Sequence, residues 1–245
     1  MKNKNFTFVF DLDNTLVKTN QANNNAYKMA ISEATGSIDF ALIEKSMGRG
    51  RFTRSKLSKL KFIADEMHFM DELWAKLGLE WAKNDLLYPQ DYYICNNERI
   101  KNYIIKQKEQ LFPEHLCETH LNVQLAKILR LLHMMGCKTI LLTECRNVRA
   151  MQICDFWFLS HYFSNMYFKE NIKNGNKYQF LETIQIPLKS VVLFENEHTE
   201  IRKAIRNGID VNQIITINFH NKGPVDRFTE KLANYLNSNN NKSLY

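Results

Sequence analysis

The 245-residue sequence has no apolar run approaching the roughly 20 residues that span a bilayer, so no membrane-spanning helix and no membrane partner are expected. It also lacks the pattern of a secretory leader. The start, MKNKNFTFVF, passes directly into an aromatic and β-branched run, and a cytoplasmic location is the expectation. The five cysteines (Cys95, Cys117, Cys137, Cys145 and Cys154) are odd in number, scattered, and never spaced C-x-x-C. That argues against a zinc site or a disulfide framework and for reduced, mostly buried thiols. Neither G-x-x-x-x-G-K-[ST] nor G-x-G-x-x-G occurs, so neither kind of nucleotide-binding loop is supported. H-E-x-x-H is absent too, and His133 and His161 read as structural. There is no internal repeat.

What is present is the composition of an ordinary globular protein, 44% hydrophobic and 24% charged, long enough for one large domain or a core domain with an insert. The formal net charge is +7. Its lysines and arginines are spread along the chain except in RGRFTRSKLSKLK, Arg49 to Lys61. A spread of this kind is a solvated surface, and nucleic acid is not expected as a partner. Arg49, Arg51 and Arg54 are candidates for anion recognition, although a solvated basic turn explains them as simply. The asparagine runs Asn23 to Asn25 and Asn239 to Asn241 read as loose surface.

One stretch stands out, FVFDLDNTL, Phe8 to Leu16. Phe6, Phe8, Val9 and Phe10 form a short run suited to a strand buried on both faces. The run delivers Asp11 and Asp13 to the strand's carboxyl end, where open α/β sheets place their ligands. Leu12 between them can turn into the core, and Asn14 and Thr15 supply small polar groups where the chain leaves the sheet. Two acids at i and i+2 suit a hard cation, with one acid available as nucleophile or acid/base.

After Leu16 the pattern becomes helical and stays so from Lys18 to about Glu118, with no clear strand. Tyr27, Ala30, Ile31 and Ala34 mark the inner face of a first helix closed by Gly36. Phe62, Met67, Phe69, Leu73, Trp74, Leu77 and Trp81 mark the packing positions of a longer stretch. The second half alternates differently. NVQLAKILRLLHMMG reads as an amphipathic helix closed by Gly136, and Lys138 to Thr143 as a buried strand. RNVRAMQICDFW is a helix, the region near MYF a short strand, and KYQFLETI a helix. Ser190 to Glu195 is a strand, TEIRKAIRNG a helix closed by Gly208, QIITINF a strand and VDRFTEKLANYL a last helix. Strands and helices at this spacing imply βαβ crossovers and a three-layer, doubly wound parallel sheet, which the first strand must join. The expected division is residues 1–17 and 119–245 as an α/β core, with 18–118 as an inserted helical cap. Such an insertion would overhang the carboxyl ends of the strands, where a lid belongs.

FVFDLDNTL, the strand TILLT, a later lysine and the acidic strand end FEN, in that order, resemble the haloacid dehalogenase-like superfamily of phosphohydrolases. The helical insert resembles that superfamily's cap. The resemblance implies a Rossmann-like core and a magnesium-dependent phosphatase acting on a small phosphorylated metabolite. It implies Asp11 as the nucleophile that forms an aspartyl-phosphate and Asp13 as general acid/base. It implies Thr143 as a phosphate-binding hydroxyl, with Lys177, or else Lys173, as the charge-neutralising lysine. Magnesium would sit among Asp11, the Asp13 backbone carbonyl and the strand end Glu195–Asn196. Superfamily members usually carry an Asp at that strand end. Here Asn196 keeps an oxygen ligand but removes a charge, and Glu195 or Glu200 would have to compensate. Glu144 and Cys145 follow Thr143 as neighbours of the expected site. The other readings are a phosphomutase, a dehalogenase without use for the metal, a binding or regulatory protein that kept the fold, and nucleic-acid end processing, which rests only on the basic balance.

Overall fold

A computed structural model describes residues 6–35, 50–57, 101–172, 175–219 and 223–230. The expected packing positions from Phe62 to Trp81, the candidate Arg49 and the alternative lysine Lys173 lie outside the described residues. In chain order the elements are β1 (Thr7–Phe10), β2 (Val17–Lys18), α1 (Asn20–Thr35), α2 (Arg54–Leu57), β3 (His120–Leu121), α3 (Val123–Met134), β4 (Lys138–Leu142), α4 (Asn147–Phe156), β5 (Asn165–Tyr167), α5 (Lys177–Thr183), β6 (Val191–Glu195), α6 (His198–Arg206) and β7 (Ile214–Thr216). Residues 101–111 and 223–230 are also helical. No described helix is long and apolar enough to cross a membrane. The chain divides into two compact units, Met1–Thr19 with His120–Tyr245, and Asn20–Thr119.

The first unit is built on a five-stranded sheet of order β5-β4-β1-β6-β7, parallel throughout. β1, first in sequence, is central, with β4 on one edge and β6 on the other. The period-two alternation sorts its side chains. Val9 joins Ile140, Leu142, Val191 and Leu193 on the face covered by Tyr178 and Leu181 of α5 and Ala204 of α6. Phe10 turns the other way, stacking on Phe194 at 4.4 Å between centroids, while Phe163 meets Phe10 edge-on and Phe228 meets Phe194 edge-on. The sheet is therefore apolar on both sides, as a doubly wound fold requires.

In the strand register Phe10 lies opposite Leu141 of β4 and Phe194 of β6. Asp11, Leu142 and Glu195 thus come next at one level, at the carboxyl edge. There the chain turns sharply. The Leu12 carbonyl accepts from the amides of Thr15, Leu16 and Val17, and the Asn14 amide donates back to the Val17 carbonyl at 2.7 Å. Asn14 adopts φ +59° to make this turn, a left-handed conformation that asparagine tolerates better than most residues. Its side-chain oxygen accepts the Thr19 amide at 3.2 Å.

β2 and β3 form a two-residue antiparallel ladder, Val17 opposite Leu121 and Lys18 opposite His120. Nothing in the sequence pattern points to it, since two residues carry no periodicity. β7 is shorter than the expected strand QIITINF, covering only Ile214–Thr216.

In the second unit, α1 buries Ala26, Tyr27, Ala30, Ile31 and Ala34, a stripe at helical spacing. Lys108 is buried with its ammonium 5.3 Å from the Tyr27 ring and 5.0 Å from the Phe112 ring. The run Asn23 to Asn25 is not loose surface. The Asn23 amide donates to the Phe52 carbonyl, Asn24 bonds both the Phe52 amide and the Gly50 carbonyl, and Asn25 donates to Glu118. Amide side chains carry both a donor and an acceptor, so three in succession can tie the extended segment at 50–52 and residue 118 to one helix.

Candidate active site

Val9 and Asp11 share a face of β1, as Leu193 and Glu195 share a face of β6, and α5 covers that face. Lys177 is the first residue of α5 and reaches the two acids from the side. Its Nζ lies 2.5 Å from Glu195 Oε2, 3.4 Å from Asp11 Oδ1 and 3.9 Å from Glu200 Oε2. Asn176 holds α5 in place by capping it, its side-chain oxygen accepting from the Tyr178 and Gln179 amides. Lys169 sits instead in an exposed turn, Lys169–Asn171.

These charges are deep. Residue exposure is 7% at Asp11, 2% at Lys177 and 1% at Glu195. Burial, with Glu195 next in weight, pushes the Asp11 carboxyl up to about 7; Lys177 and a hydrogen bond from Thr15 act against that rise. Burial alone would lower Lys177, but Asp11 and Glu195 outweigh it and hold the ammonium well above its usual range. Glu195 is fully engaged: Oε2 takes the lysine, and Oε1 accepts the amides of Asn196 and Glu197, each at 3.0 Å.

Thr15, wholly buried, lies between Asp11 and Asn196. Its hydroxyl is 3.0 Å from Asp11 Oδ2 and 2.7 Å from Asn196 Oδ1. One hydroxyl proton cannot serve both oxygens. Given to one of them, it leaves the lone pairs of the other oxygen for a cation or a water.

Asp13 is held by a residue that the sequence reading did not single out. Arg149, in the first turn of α4, places Nη2 at 2.6 Å from Asp13 Oδ1 and Nη1 at 3.1 Å from Oδ2. Thr19 Oγ1 adds a third donor to Oδ1 at 2.5 Å. No motif announces Arg149, because its partner is 136 positions away; the available signal was a lone basic residue facing the strand ends from the helix after Thr143. Thr143 directly follows β4, buried, and its hydroxyl accepts the Cys145 amide at 3.1 Å. An accepting hydroxyl still has its proton to donate, which suits a phosphate oxygen.

Among the described residues no group of three or more His, Cys, Asp and Glu side chains is placed to hold a metal ion. The oxygens that do converge are the Asp11 carboxylate and the Asn196 side-chain oxygen, joined through one Thr15 hydroxyl. An all-oxygen set with few protein ligands fits magnesium, which keeps several waters and takes further oxygens from a substrate phosphate.

The model of the NLI interacting factor-like phosphatase family matches residues 94–243, more than half of the chain. The chain belongs to that family. It is a haloacid dehalogenase-like hydrolase of phosphoric esters. The matched segment carries Thr143, Arg149, Lys177, Glu195 and Asn196, while Asp11 and Asp13 precede it. No curated protein matches the sequence. Solved structures of similar fold include a haloacid dehalogenase-like family hydrolase from Streptococcus pneumoniae (TM-score 0.54, 18% identity, covering 88% of this chain and 86% of that one). A predicted phosphoglycolate phosphatase from Haemophilus somnus aligns with TM-score 0.57 at 14% identity, over 89% and 88% of the two chains. A predicted phosphatase from Clostridium acetobutylicum aligns with TM-score 0.55 at 14% identity, over 94% and 99%. At these identities the likeness is one of fold.

Proposed function

We propose that this phosphatase hydrolyses a small phosphate monoester, with magnesium, through an aspartyl-phosphate on Asp11. The observation that carries the reading is the placement of the Asp11 carboxylate at the end of the central strand, within reach of one buried lysine and one buried threonine hydroxyl. An Asp11 oxygen attacks phosphorus and the ester oxygen departs with the bonding pair, taking a proton from Asp13. Water then attacks the same phosphorus, giving its proton to Asp13, and the Asp11–phosphorus bond breaks to release phosphate. Lys177 and the Thr143 hydroxyl face the phosphoryl oxygens and offset their charge. Asp11, the Asp13 backbone carbonyl and Asn196 would hold the magnesium, which supplies positive charge between an anionic nucleophile and an anionic substrate. Glu195 would join them only by giving up Lys177, so its part in this reading is to orient the lysine. The unit 20–119 is the place for substrate selection in this scheme, as a cap.

A second reading is a binding protein on the same scaffold. It is favoured by Glu195, whose carboxylate is taken up by Lys177 and two backbone amides. Turnover of an aryl phosphate, measured with and without magnesium and with Asp11→Asn alongside, separates the two. Magnesium-dependent turnover that Asp11→Asn abolishes supports the hydrolase. Turnover indifferent to Asp11→Asn sinks the mechanism, and no turnover across a broad phosphometabolite panel favours binding.

A further inference from the structure

Arg149 draws Asp13, Thr19 and Cys145 together. Its guanidinium meets both oxygens of Asp13, at 2.6 and 3.1 Å, approaches Thr19 Oγ1 at 3.3 Å, and sets Nη1 3.4 Å from Cys145 Sγ. Cys145 in turn donates its amide to Thr143 Oγ1. The side chain is mostly buried, 14% exposed, so this is not a surface ion pair that solvent screens away. A two-pronged guanidinium–carboxylate contact fixes a plane as well as a distance, which a single ammonium contact does not.

We infer that Arg149 is the positioning residue of Asp13, clamping the carboxylate that follows β1 to the turn that follows β4, so that the proton-transferring group and the phosphate-binding Thr143 keep one geometry. The inference rests on the hydrolase reading above. Asp13 is carried on a tight turn just past the five-stranded sheet, its backbone bridged to Val17. The guanidinium and Thr19 constrain its side chain from two directions. A misplacement of about 1 Å in a reacting group costs on the order of a hundredfold in rate, so the clamp acts on turnover rather than on substrate binding.

The test is a set of steady-state measurements with magnesium on wild type, Arg149→Ala, Arg149→Lys, Asp13→Asn and the Asp13→Asn/Arg149→Ala double variant. Each is assayed with p-nitrophenyl phosphate and with an alkyl phosphate, whose poor leaving group depends more on proton delivery. Arg149→Ala is expected to lose about 10- to 100-fold in kcat on the alkyl ester, less on the aryl ester, with KM within about threefold. Arg149→Lys keeps the charge without the fork and is expected to recover only part. The double variant is expected to be no slower than Asp13→Asn alone, because a residue that acts through Asp13 has nothing to act on once the carboxylate is gone. A near-wild-type kcat for Arg149→Ala, or losses that multiply in the double variant, overturns the inference while leaving the hydrolase reading intact. An inert wild type overturns both. Should Arg149→Ala fail to fold, Thr19→Val removes one donor from the same carboxylate. It is expected to lower kcat on the alkyl ester in the same direction, and unchanged kcat there overturns the inference.

Discussion

Asp11 is a carboxylate placed where burial and Glu195 both oppose its charge, and that tension has a measurable sign. With its folded pKa pushed up to about 7 from 3.8, the folded state binds more protons than the unfolded one between those values. Stability of the metal-free protein therefore falls as pH rises through that window, and the cost is complete above about 7. Asp11→Asn is accordingly expected to raise the melting temperature at pH 8 more than at pH 5, while abolishing turnover; thermal melts at the two pH values check it. Lys177 gives the same sign of pH dependence in a higher window, although its charge stabilises the fold where that of Asp11 opposes it. Its raised pKa means that its contribution is fully present below 10.5 and is lost as pH climbs through the higher folded value. Lys177→Met would leave two acids buried without their cation, at a cost of roughly 3–5 kcal/mol, measured by denaturant unfolding at pH 7. A cost under about 1 kcal/mol would mean that water reaches Asp11 and Glu195 more readily than their burial implies.

At the scale of elements, α5 is the part whose placement governs the lysine. Lys177 begins the helix, immediately after the capping residue, so the cap fixes where the ammonium starts from. Asn176→Ala is expected to cost about 1 kcal/mol of stability and also to lower kcat, whereas a cap of equal value on a helix remote from the site would affect stability alone. Chemical unfolding and steady-state kinetics on the same preparation separate the two effects. The elements also show what was legible in the sequence. β1, β4 and β6 are apolar runs that end in polar residues, and that pattern survives reading because a strand buried on both faces has little choice of composition. Lys177 was favoured by the helix it opens. Arg149 was not legible: an arginine in a helix is ordinary, and what distinguishes it is a contact with a turn 136 residues earlier. The run Asn23 to Asn25 failed for a similar reason, since side-chain amides say nothing about their partners until the chain has folded.

For the whole molecule, the charge balance of the first unit's site sets how it meets a divalent cation. Asp11, Asp13 and Glu195 face Lys177 and Arg149, a near-neutral group in which Asp11 holds its proton until about pH 7. On the proposed reading magnesium displaces that proton, so its affinity is expected to rise about tenfold per pH unit below 7 and to level off above. A saturating concentration near 100 times Kd would stabilise the fold by about 2.7 kcal/mol. Melting temperature against magnesium concentration at pH 6 and pH 8 reads both, and a shift independent of pH would place the ion away from Asp11.

The two-residue ladder of β2 and β3 has a consequence for how such proteins diversify. Residues 18 and 120 face one another in antiparallel register, which is the geometry that flanks a hairpin turn. Everything between them is, topologically, one enlarged hairpin loop. Closure entropy grows only with the logarithm of loop length, about 0.6 kcal/mol per doubling, so lengthening that loop from ten residues to a hundred costs about 2 kcal/mol. Different segments can be grafted between the same two anchor points, with β1 keeping its neighbours. On the proposed reading, the segment that selects substrate and the strand that carries the chemistry are joined at four residues.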